Sequence, residues 1–256
     1  MNMILTLRLG ITTSSARHCV TVPPYRNLLF MVILLTAGRA QDSPEFSTGR
    51  PGHVETIHIL PRGYYQFESN WTPPDDGGVI MLRTGLTQKL EARFTLDDLF
   101  SESSSNLGGV TAGLLMAIRE DGGLPGMGVA LSLSVPDTDG FQMDAAQINL
   151  VFPFSKGLTD DLGLDWHLAA SHADGELAFS FASLLGYGIS ERVGLFVGSW
   201  GGSPMDAMSD MSLSMDTGFT YMLRDNIQLD LNGGIPITDN GEAVFIDMGV
   251  SFRLPN

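Results

Sequence analysis

The histidines and the acidic residues near them are the side chains in this chain with the most obvious potential for chemistry. His53 and His58 lie five positions apart, and so do His167 and His172. On a β-strand this spacing places the two members of a pair on opposite faces, so they cannot bind the same metal ion. The sequence therefore predicts no metal site.

Asp165 and His167 are two positions apart, so a strand would bring both onto one face. An acid–histidine pair can activate a hydroxyl or a water, which leaves a hydrolase as a minor hypothesis. The sequence contains no nucleophile elbow, phosphate-binding loop or dinucleotide fingerprint, and the stretch around Ser199 lacks the required glycine spacing. We therefore predict no catalytic residue and no cofactor, and we favour a wall-lining role for the pair.

The elements that position these side chains have a hydrophobic period of two residues, which indicates β-strands. From Gly63 onward this alternation recurs, and it predicts about twelve strands. They cover residues 64–71, 79–86, 89–96, 110–119, 128–135, 145–154, 162–171, 176–188, 193–200, 211–223, 227–234 and 243–254.

The last predicted strand shows the pattern most clearly. One of its faces is continuously apolar, while Asp247 and Arg253 lie on the other. This length and alternation suit a lipid-facing strand of a transmembrane barrel, and they suit a half-buried strand of a soluble sandwich equally well. If the chain forms a barrel, this strand pairs with residues 64–71 and closes it.

The connections decide between a barrel and a sandwich. Short connections at 85–90, 157–162, 188–193 and 224–226 alternate with longer ones at 72–78, 97–109, 136–144, 201–210 and 236–242. The connection at 173–175 is short, and 120–127 fits the short side least well. Successive connections of an up-and-down barrel lie on opposite rims, and outer-membrane barrels keep their short turns on the periplasmic rim. We therefore predict an all-β, transmembrane, antiparallel up-and-down β-barrel of about twelve strands, rather than a Greek-key sandwich.

The chain ahead of the barrel divides into two parts. Residues 28–36 form a short apolar core preceded by Arg26 and followed by small residues, which predicts that residues 1–40 are a signal peptide cleaved before Gln41. Residues 41–62 contain three prolines and no alternation, so we expect an extended segment that forms a periplasmic tail or a plug in the lumen. The barrel then comprises residues 63–256.

Charge and cysteine content exclude several classes of protein. Of the 14 Lys and Arg residues four lie in the first forty positions, which leaves 10 against 29 acidic residues and a formal charge of −19. Nucleic acid is therefore not an expected partner. The only cysteine, Cys19, lies in the predicted signal peptide, so the exported chain has no disulfide and no catalytic cysteine.

Polar side chains opposite the apolar faces are the expected lining of the lumen, where they pair with one another or form a passage whose charges tune selectivity. The lumen-lining candidates are Glu68, Arg83, Glu91, Arg93, Asp165, His167, Asp216, Asp230, Asp247 and Arg253. Aromatic residues are expected to form girdles at the membrane interfaces. They include Tyr65, Phe67, Trp71, Phe152, Trp166, Tyr187, Trp200, Phe219, Tyr221 and Phe252.

Several segments together resemble the outer-membrane β-barrel transporter family labelled "Putative MetA-pathway of phenol degradation". The matching residues are Arg50-Pro51-Gly52, Pro61-Arg62-Gly63-Tyr64, Leu82-Arg83-Thr84-Gly85-Leu86-Thr87, Leu90-Glu91-Ala92-Arg93, Asp165-Trp166, Gly188-Ile189-Ser190-Glu191-Arg192-Val193-Gly194 and Asn226-Ile227-Gln228-Leu229-Asp230. The resemblance spans nearly all of the exported chain. It implies an outer-membrane location in a Gram-negative bacterium and transport of small, aromatic or hydrophobic molecules. Recognition by the outer-membrane assembly machinery would depend on Phe252, because the chain continues to Leu254-Pro255-Asn256 where family members tend to end on an aromatic residue.

These observations support three functional hypotheses. The first is an outer-membrane channel or diffusion transporter for small molecules, with membrane lipid, the permeant and the assembly machinery as partners. The second is a structural or surface-interaction barrel with a sealed lumen. The third is a barrel hydrolase that uses Asp165 and His167.

Overall fold

The computed structural model describes residues 46–72, 77–97, 108–136 and 141–254. The predicted signal peptide, residues 1–40, and the start of the predicted extended segment lie outside the described residues.

Twelve strands make up the described fold, and each lies within four residues of its predicted bounds. They are β1 (Tyr65–Thr72), β2 (Gly77–Gly85), β3 (Leu90–Asp97), β4 (Gly109–Arg119), β5 (Gly126–Pro136), β6 (Gln147–Gly157), β7 (Leu162–Ala173), β8 (Glu176–Ser190), β9 (Val193–Pro204), β10 (Ser212–Arg224), β11 (Ile227–Pro236) and β12 (Phe245–Leu254). Two single 3-10 turns, Met143–Ala145 and Met208–Asp210, precede β6 and β10.

Each strand pairs antiparallel with its neighbours in sequence, and β1 pairs with β12, so the sheet closes on itself. At the closure Phe67 lies opposite Phe252 and Trp71 lies opposite Met248. Closure gives the backbone groups of every strand a partner strand on both sides, which is the condition for a sheet in hydrocarbon. The predicted twelve-stranded up-and-down barrel is therefore confirmed, including the strand pair that closes it.

The two rims of the barrel differ as the alternating connections predict. The short-turn rim carries the connections β2–β3, β4–β5, β6–β7, β8–β9 and β10–β11, and the long-loop rim carries the others. The β1–β2 connection, residues 73–76, is no longer than β2–β3, so the predicted difference does not hold there. The β7–β8 connection is tight, because Asp174 and Gly175 turn the chain with φ values of 50° and 82°. Both residue types tolerate this left-handed backbone.

Side chains on the two faces of the wall are of opposite character. Apolar residues such as Leu131 and Ile246 are more than half exposed on the outer face, at 53% and 56%. Charged residues on the inner face are buried, including Arg83, Glu91 and Asp230. An apolar exterior around a polar interior is the pattern of a barrel in lipid. Among the described residues, no helix is long and apolar enough to cross a membrane.

Outward aromatic residues gather near the short-turn rim. Phe67 stacks on Phe252, and Phe154 stacks on Trp166, with ring centroids 4.9 and 5.3 Å apart. Amphipathic rings favour the headgroup region of a bilayer. The expectation of an aromatic girdle fits these residues, but it is wrong for Trp200, whose ring lies inside the barrel against His53.

The outer face of β12 provides a direct test of lipid contact. Replacing Val250 with Arg should lower the free energy of unfolding by ~2–4 kcal/mol if the residue lies near the bilayer midplane, because a guanidinium there loses its hydration. Reversible urea unfolding in lipid vesicles measures this loss, and Val250→Leu is the matched control. Equal stability of the two variants would show that this face does not meet lipid.

Candidate functional site

The chain ahead of β1 runs inside the barrel. Within residues 46–63, the carbonyl of Ser47 accepts a hydrogen bond from Gln66 at 2.8 Å, and the amide of Gly49 donates to Glu68 at 2.9 Å. Further on, His53 lies next to Trp200 in the long-loop half of the wall. We call residues 46–63 the inner segment.

The inner segment then returns to the short-turn rim. The amide of Leu60 donates to Glu91 at 2.6 Å, and Arg62 forms a β-bridge with Gly85 at the end of β2. Three apolar residues of the segment, Val54, Ile57 and Leu60, are buried. A side chain on Gly85 would collide with the carbonyl of Pro61, so this glycine allows the close approach. The segment therefore packs against the wall through both its backbone and its side chains.

Arg83 is the centre of a buried ion network on β1–β3. Its guanidinium donates to Glu68 and to Glu91, each at 2.7 Å, and to the carbonyl of His58 at 2.9 Å. Arg93 donates to Glu91 at 2.7 Å and to Glu55 of the inner segment at 2.5 Å. We call Glu55, Glu68, Arg83, Glu91 and Arg93 the arginine network.

The arginine network links the inner segment to the wall, and it also neutralises the carboxylates that are buried there. Glu91 accepts bonds from two guanidiniums and one backbone amide, so its buried charge is compensated on every side. Burial of a charge without such partners would cost several kcal/mol. Next to the network, Arg253 donates to Gln66 at 2.8 Å, and its guanidinium lies 4.8 Å from the ring centroid of Phe46.

A second buried cluster lies on β10, β11 and β12. We call Asp216, Asp230, Asn232 and Asp247 the acidic clamp. Arg50 of the inner segment reaches into it, with Nη2 at 2.7 Å from Asp247 and 3.5 Å from Asp230. The Nδ1 of His53 lies 3.5 Å from Asp216, and its Nε2 lies 3.6 Å from Glu242.

Asp165 and His167 lie side by side on β7, half-buried against the inner segment. Ser155 donates a hydrogen bond to Asp165, and the amide of Glu55 donates to Nδ1 of His167 at 2.9 Å. Activation of a serine needs a bond from its hydroxyl to the histidine. Here the serine donates to the aspartate instead, so the arrangement does not favour a hydrolase.

The ten predicted lining residues thus fall into distinct surroundings. Glu68, Arg83, Glu91, Asp216, Asp230, Asp247 and Arg253 are buried, while Arg93, Asp165 and His167 are half-buried. The structure brings Glu68, Arg83, Glu91 and Arg93 together in one network and Asp216, Asp230 and Asp247 together in another. Asp165, His167 and Arg253 belong to neither.

Cavities of about 280 and 490 Å³ lie between the inner segment and the wall. His58 and Asp165 line both of them. Much of their wall is glycine, with Gly186, Gly188 and Gly194 in the smaller cavity and Gly157 and Gly163 in the larger. Absence of side chains on this part of the wall leaves room that the inner segment does not fill.

Asp121 and Lys156 line the larger cavity at the short-turn rim. The carboxylate of Asp121 accepts bonds from the amide of Gly157 at 2.7 Å and from the ammonium of Lys156 at 2.9 Å. The Gly157 amide and the Lys156 ammonium hold the pKa of Asp121 below its usual value. This clip fixes the β4–β5 connection, the one that fits the short-side pattern least well.

Sequence reasoning did not identify Arg50, His53, Glu55 or Trp200 as members of the site. The first three lie in a segment without alternation, which has no face to assign. A signal was present in the three-residue spacing of Val54, Ile57 and Leu60, which indicates burial within an otherwise polar stretch. For Trp200, the strand period places it on the same face as Gly198 and Phe196, away from the lipid.

The arginine network should be essential to the stability of the barrel. Replacing Arg83 with Met leaves Glu68 and Glu91 buried with fewer partners, so we expect a loss of ~3–5 kcal/mol in the free energy of unfolding. Reversible unfolding in vesicles measures it. Lys156→Met is the matched control, because it removes an ion pair that is open to solvent and should change stability little. If both variants were equally stable, the network would not hold the fold.

Comparison with solved structures identifies the same architecture. The KdgM porin matches with a TM-score of 0.56 and 8% identity over 74% of this chain and 98% of that chain. The NanC porin matches with a TM-score of 0.54 and 7% identity over 75% and 99%. An outer membrane channel from Pseudomonas putida F1 matches with a TM-score of 0.57 and 13% identity over 81% and 99%. At these identities the likeness is one of fold, and the fold is that of outer-membrane barrels.

No curated protein sequence matches the chain. A family model does match, and it covers residues 37–254. Together with the closed barrel and its apolar outer wall, this match confirms the predicted outer-membrane location. The chain belongs to the family described as "Putative MetA-pathway of phenol degradation".

Proposed function

We propose that this protein is a passive channel for small molecules across the outer membrane, and that the inner segment is the plug that narrows it. In this proposal residues 1–40 direct export. The observation that supports the proposal is a polar lumen in which cavities of about 280 and 490 Å³ remain beside the inner segment. The porins and the channel of similar fold point the same way.

The passage lies along the glycine-lined wall of β6–β9. Both cavities lie beside the inner segment, and His58 and Asp165 line each of them. A lumen of twelve strands lies between the filled interiors of small barrels and the open channels of large porins. A passage of this width suits small solutes. The aromatic or hydrophobic permeants that the family label suggests are one such class.

We infer further that the protein is not an enzyme. Asp165 and His167 accept hydrogen bonds from Ser155 and from the plug backbone, and neither bond activates a nucleophile. These bonds position the two side chains on the wall. The pair is then part of the passage lining, together with the glycines beside it.

A sealed structural barrel is the second candidate, and a specific observation favours it. Arg93 holds the inner segment through Glu55, and Arg83 holds it through the His58 carbonyl. Glu91, which contacts both arginines, holds it through the Leu60 amide. If these bonds never open and the two cavities do not connect, the lumen passes no solute. The two candidates differ in whether folded protein conducts ions.

Conductance in planar lipid bilayers separates them. We expect discrete single-channel openings from refolded protein whose heat-modifiable gel mobility shows a closed barrel. Deletion of residues 46–54 should raise the conductance, because the plug then occupies less of the lumen. Silence from both proteins would refute the channel and support the sealed barrel.

A substitution on the glycine wall tests the route. Open space lies around Gly163 on the lumen face, so Gly163→Trp should be tolerated and should lower the single-channel conductance. Leu168→Trp, on the lipid face of the same strand, is the matched control and should leave conductance unchanged. An unaltered conductance in Gly163→Trp would place the route elsewhere in the lumen.

A further inference from the structure

The acidic clamp contains more negative charge than its occupant neutralises. Asp216, Asp230 and Asp247 are three buried carboxylates, and they face one guanidinium, Arg50, and the imidazole of His53. The arginine network differs in this respect, because two guanidiniums and several amides there compensate three carboxylates. An excess of buried negative charge is costly unless a cation compensates it.

The wall is shaped to hold these carboxylates. Asp216 lies opposite Gly198 on β9, and Asp230 lies opposite Gly249 on β12. A Cβ atom at Gly198 would lie 3.3 Å from Cγ of Asp216, and one at Gly249 would lie 2.7 Å from Cγ of Asp230. Each of these two carboxylates therefore rests over a glycine, where any side chain would collide with it.

Five acceptor atoms of the clamp are buried without a hydrogen-bond donor among the described residues. They are Oδ2 of Asp216, both carboxylate oxygens of Asp230, Oδ1 of Asn232 and Oδ1 of Asp247. Two of them lie 3.5 Å from a cationic or imidazole nitrogen, namely Asp216 Oδ2 from His53 and Asp230 Oδ1 from Arg50. Asn232 is 3% exposed and lies directly opposite Asp247, so its unpartnered oxygen belongs to the same cluster. Buried acceptors normally have a donor. Arg50 contacts the clamp through Nη2 alone, while its Nε is buried without a partner in the described part of the chain, so a cation that can orient freely would satisfy these acceptors better.

Arg50 identifies the chemistry that the clamp recognises. Its guanidinium is not part of the wall but arrives on the inner segment, and its contact with Asp247 at 2.7 Å is a charge-assisted hydrogen bond. Asn70 donates to the same oxygen of Asp247 at 3.0 Å and orients it. The clamp is thus a guanidinium site occupied by a tethered ligand.

We propose that the acidic clamp is a binding site for cationic permeants with guanidinium or ammonium groups, and that Arg50 occupies it until such a permeant displaces it. This inference rests on the proposed channel, since a permeant must reach the lumen. A tethered competitor lowers the apparent affinity for a free ligand, because the ligand can bind only the fraction of clamps that Arg50 has left vacant. Removal of the Arg50 charge should therefore reveal the affinity of the clamp.

Calorimetric titration of the folded barrel with ethylguanidinium tests the site. Binding to Arg50→Gln should be at least roughly tenfold tighter than binding to the natural chain, because the competitor is gone. Ethylurea, which has a similar shape and no charge, should not bind. Arg50→Met is a second variant that removes the guanidinium, and it places an apolar side chain at this position. It should give the same result as Arg50→Gln.

Matched variants assign the effect to the clamp. Adding Asp247→Asn to Arg50→Gln should abolish the tightened binding. Glu55→Gln loosens the same segment but leaves Arg50 in place, so it should bind ethylguanidinium no better than the natural chain. Tightened binding in Glu55→Gln, or binding that survives Asp247→Asn, would overturn the proposal, as would equal affinity of Arg50→Gln and the natural chain.

Equilibrium binding separates this inference from the proposed channel. If the binding pattern is as expected but no variant conducts, the clamp is a cation site and the channel fails. If the natural chain conducts but emptying the clamp does not tighten binding, the channel stands and the clamp only latches the plug.

Discussion

Every strand of this protein depends on one constraint, which is that backbone N–H and C=O groups in hydrocarbon must find partners within the protein. The β1–β12 pair meets it by closing the sheet, so none of the described strands is left with an open edge. Closure in turn fixes which face of each strand meets lipid. The apolar residues of β12 then lie outside, and Asp247 and Arg253 lie inside.

A closed barrel with a polar inner face has to satisfy the charges that it encloses. In this protein the inner segment does much of that work, since Glu55 and Leu60 bind the arginine network while Arg50 enters the acidic clamp. The two clusters differ in balance. The arginine network is closely compensated and stabilises the fold, whereas the clamp keeps spare acceptors, which suits a site that exchanges its occupant.

The inner segment therefore combines two roles that need different interaction strengths. Near the short-turn rim it is held by several short charge-assisted bonds to Arg83, Glu91 and Arg93, which are strong. Near residues 50–53 the segment is held by Arg50 and by the stack of His53 on Trp200, which involve fewer bonds.

The strand alternation and the lengths of the connections were enough to predict the barrel, its strand number, its two rims and the closing pair. The reason is physical, since each of these features follows from local periodicity and from the rule that neighbouring strands pair. The same alternation assigned Asp216, Asp230 and Asp247 to the lumen face of their strands. What the sequence could not determine was which partner each charge has. Arg50, His53 and Glu55 lie in a stretch with no period, far from Asp247, Trp200 and Arg93 along the chain, and only closure of the barrel around that stretch brings them into contact.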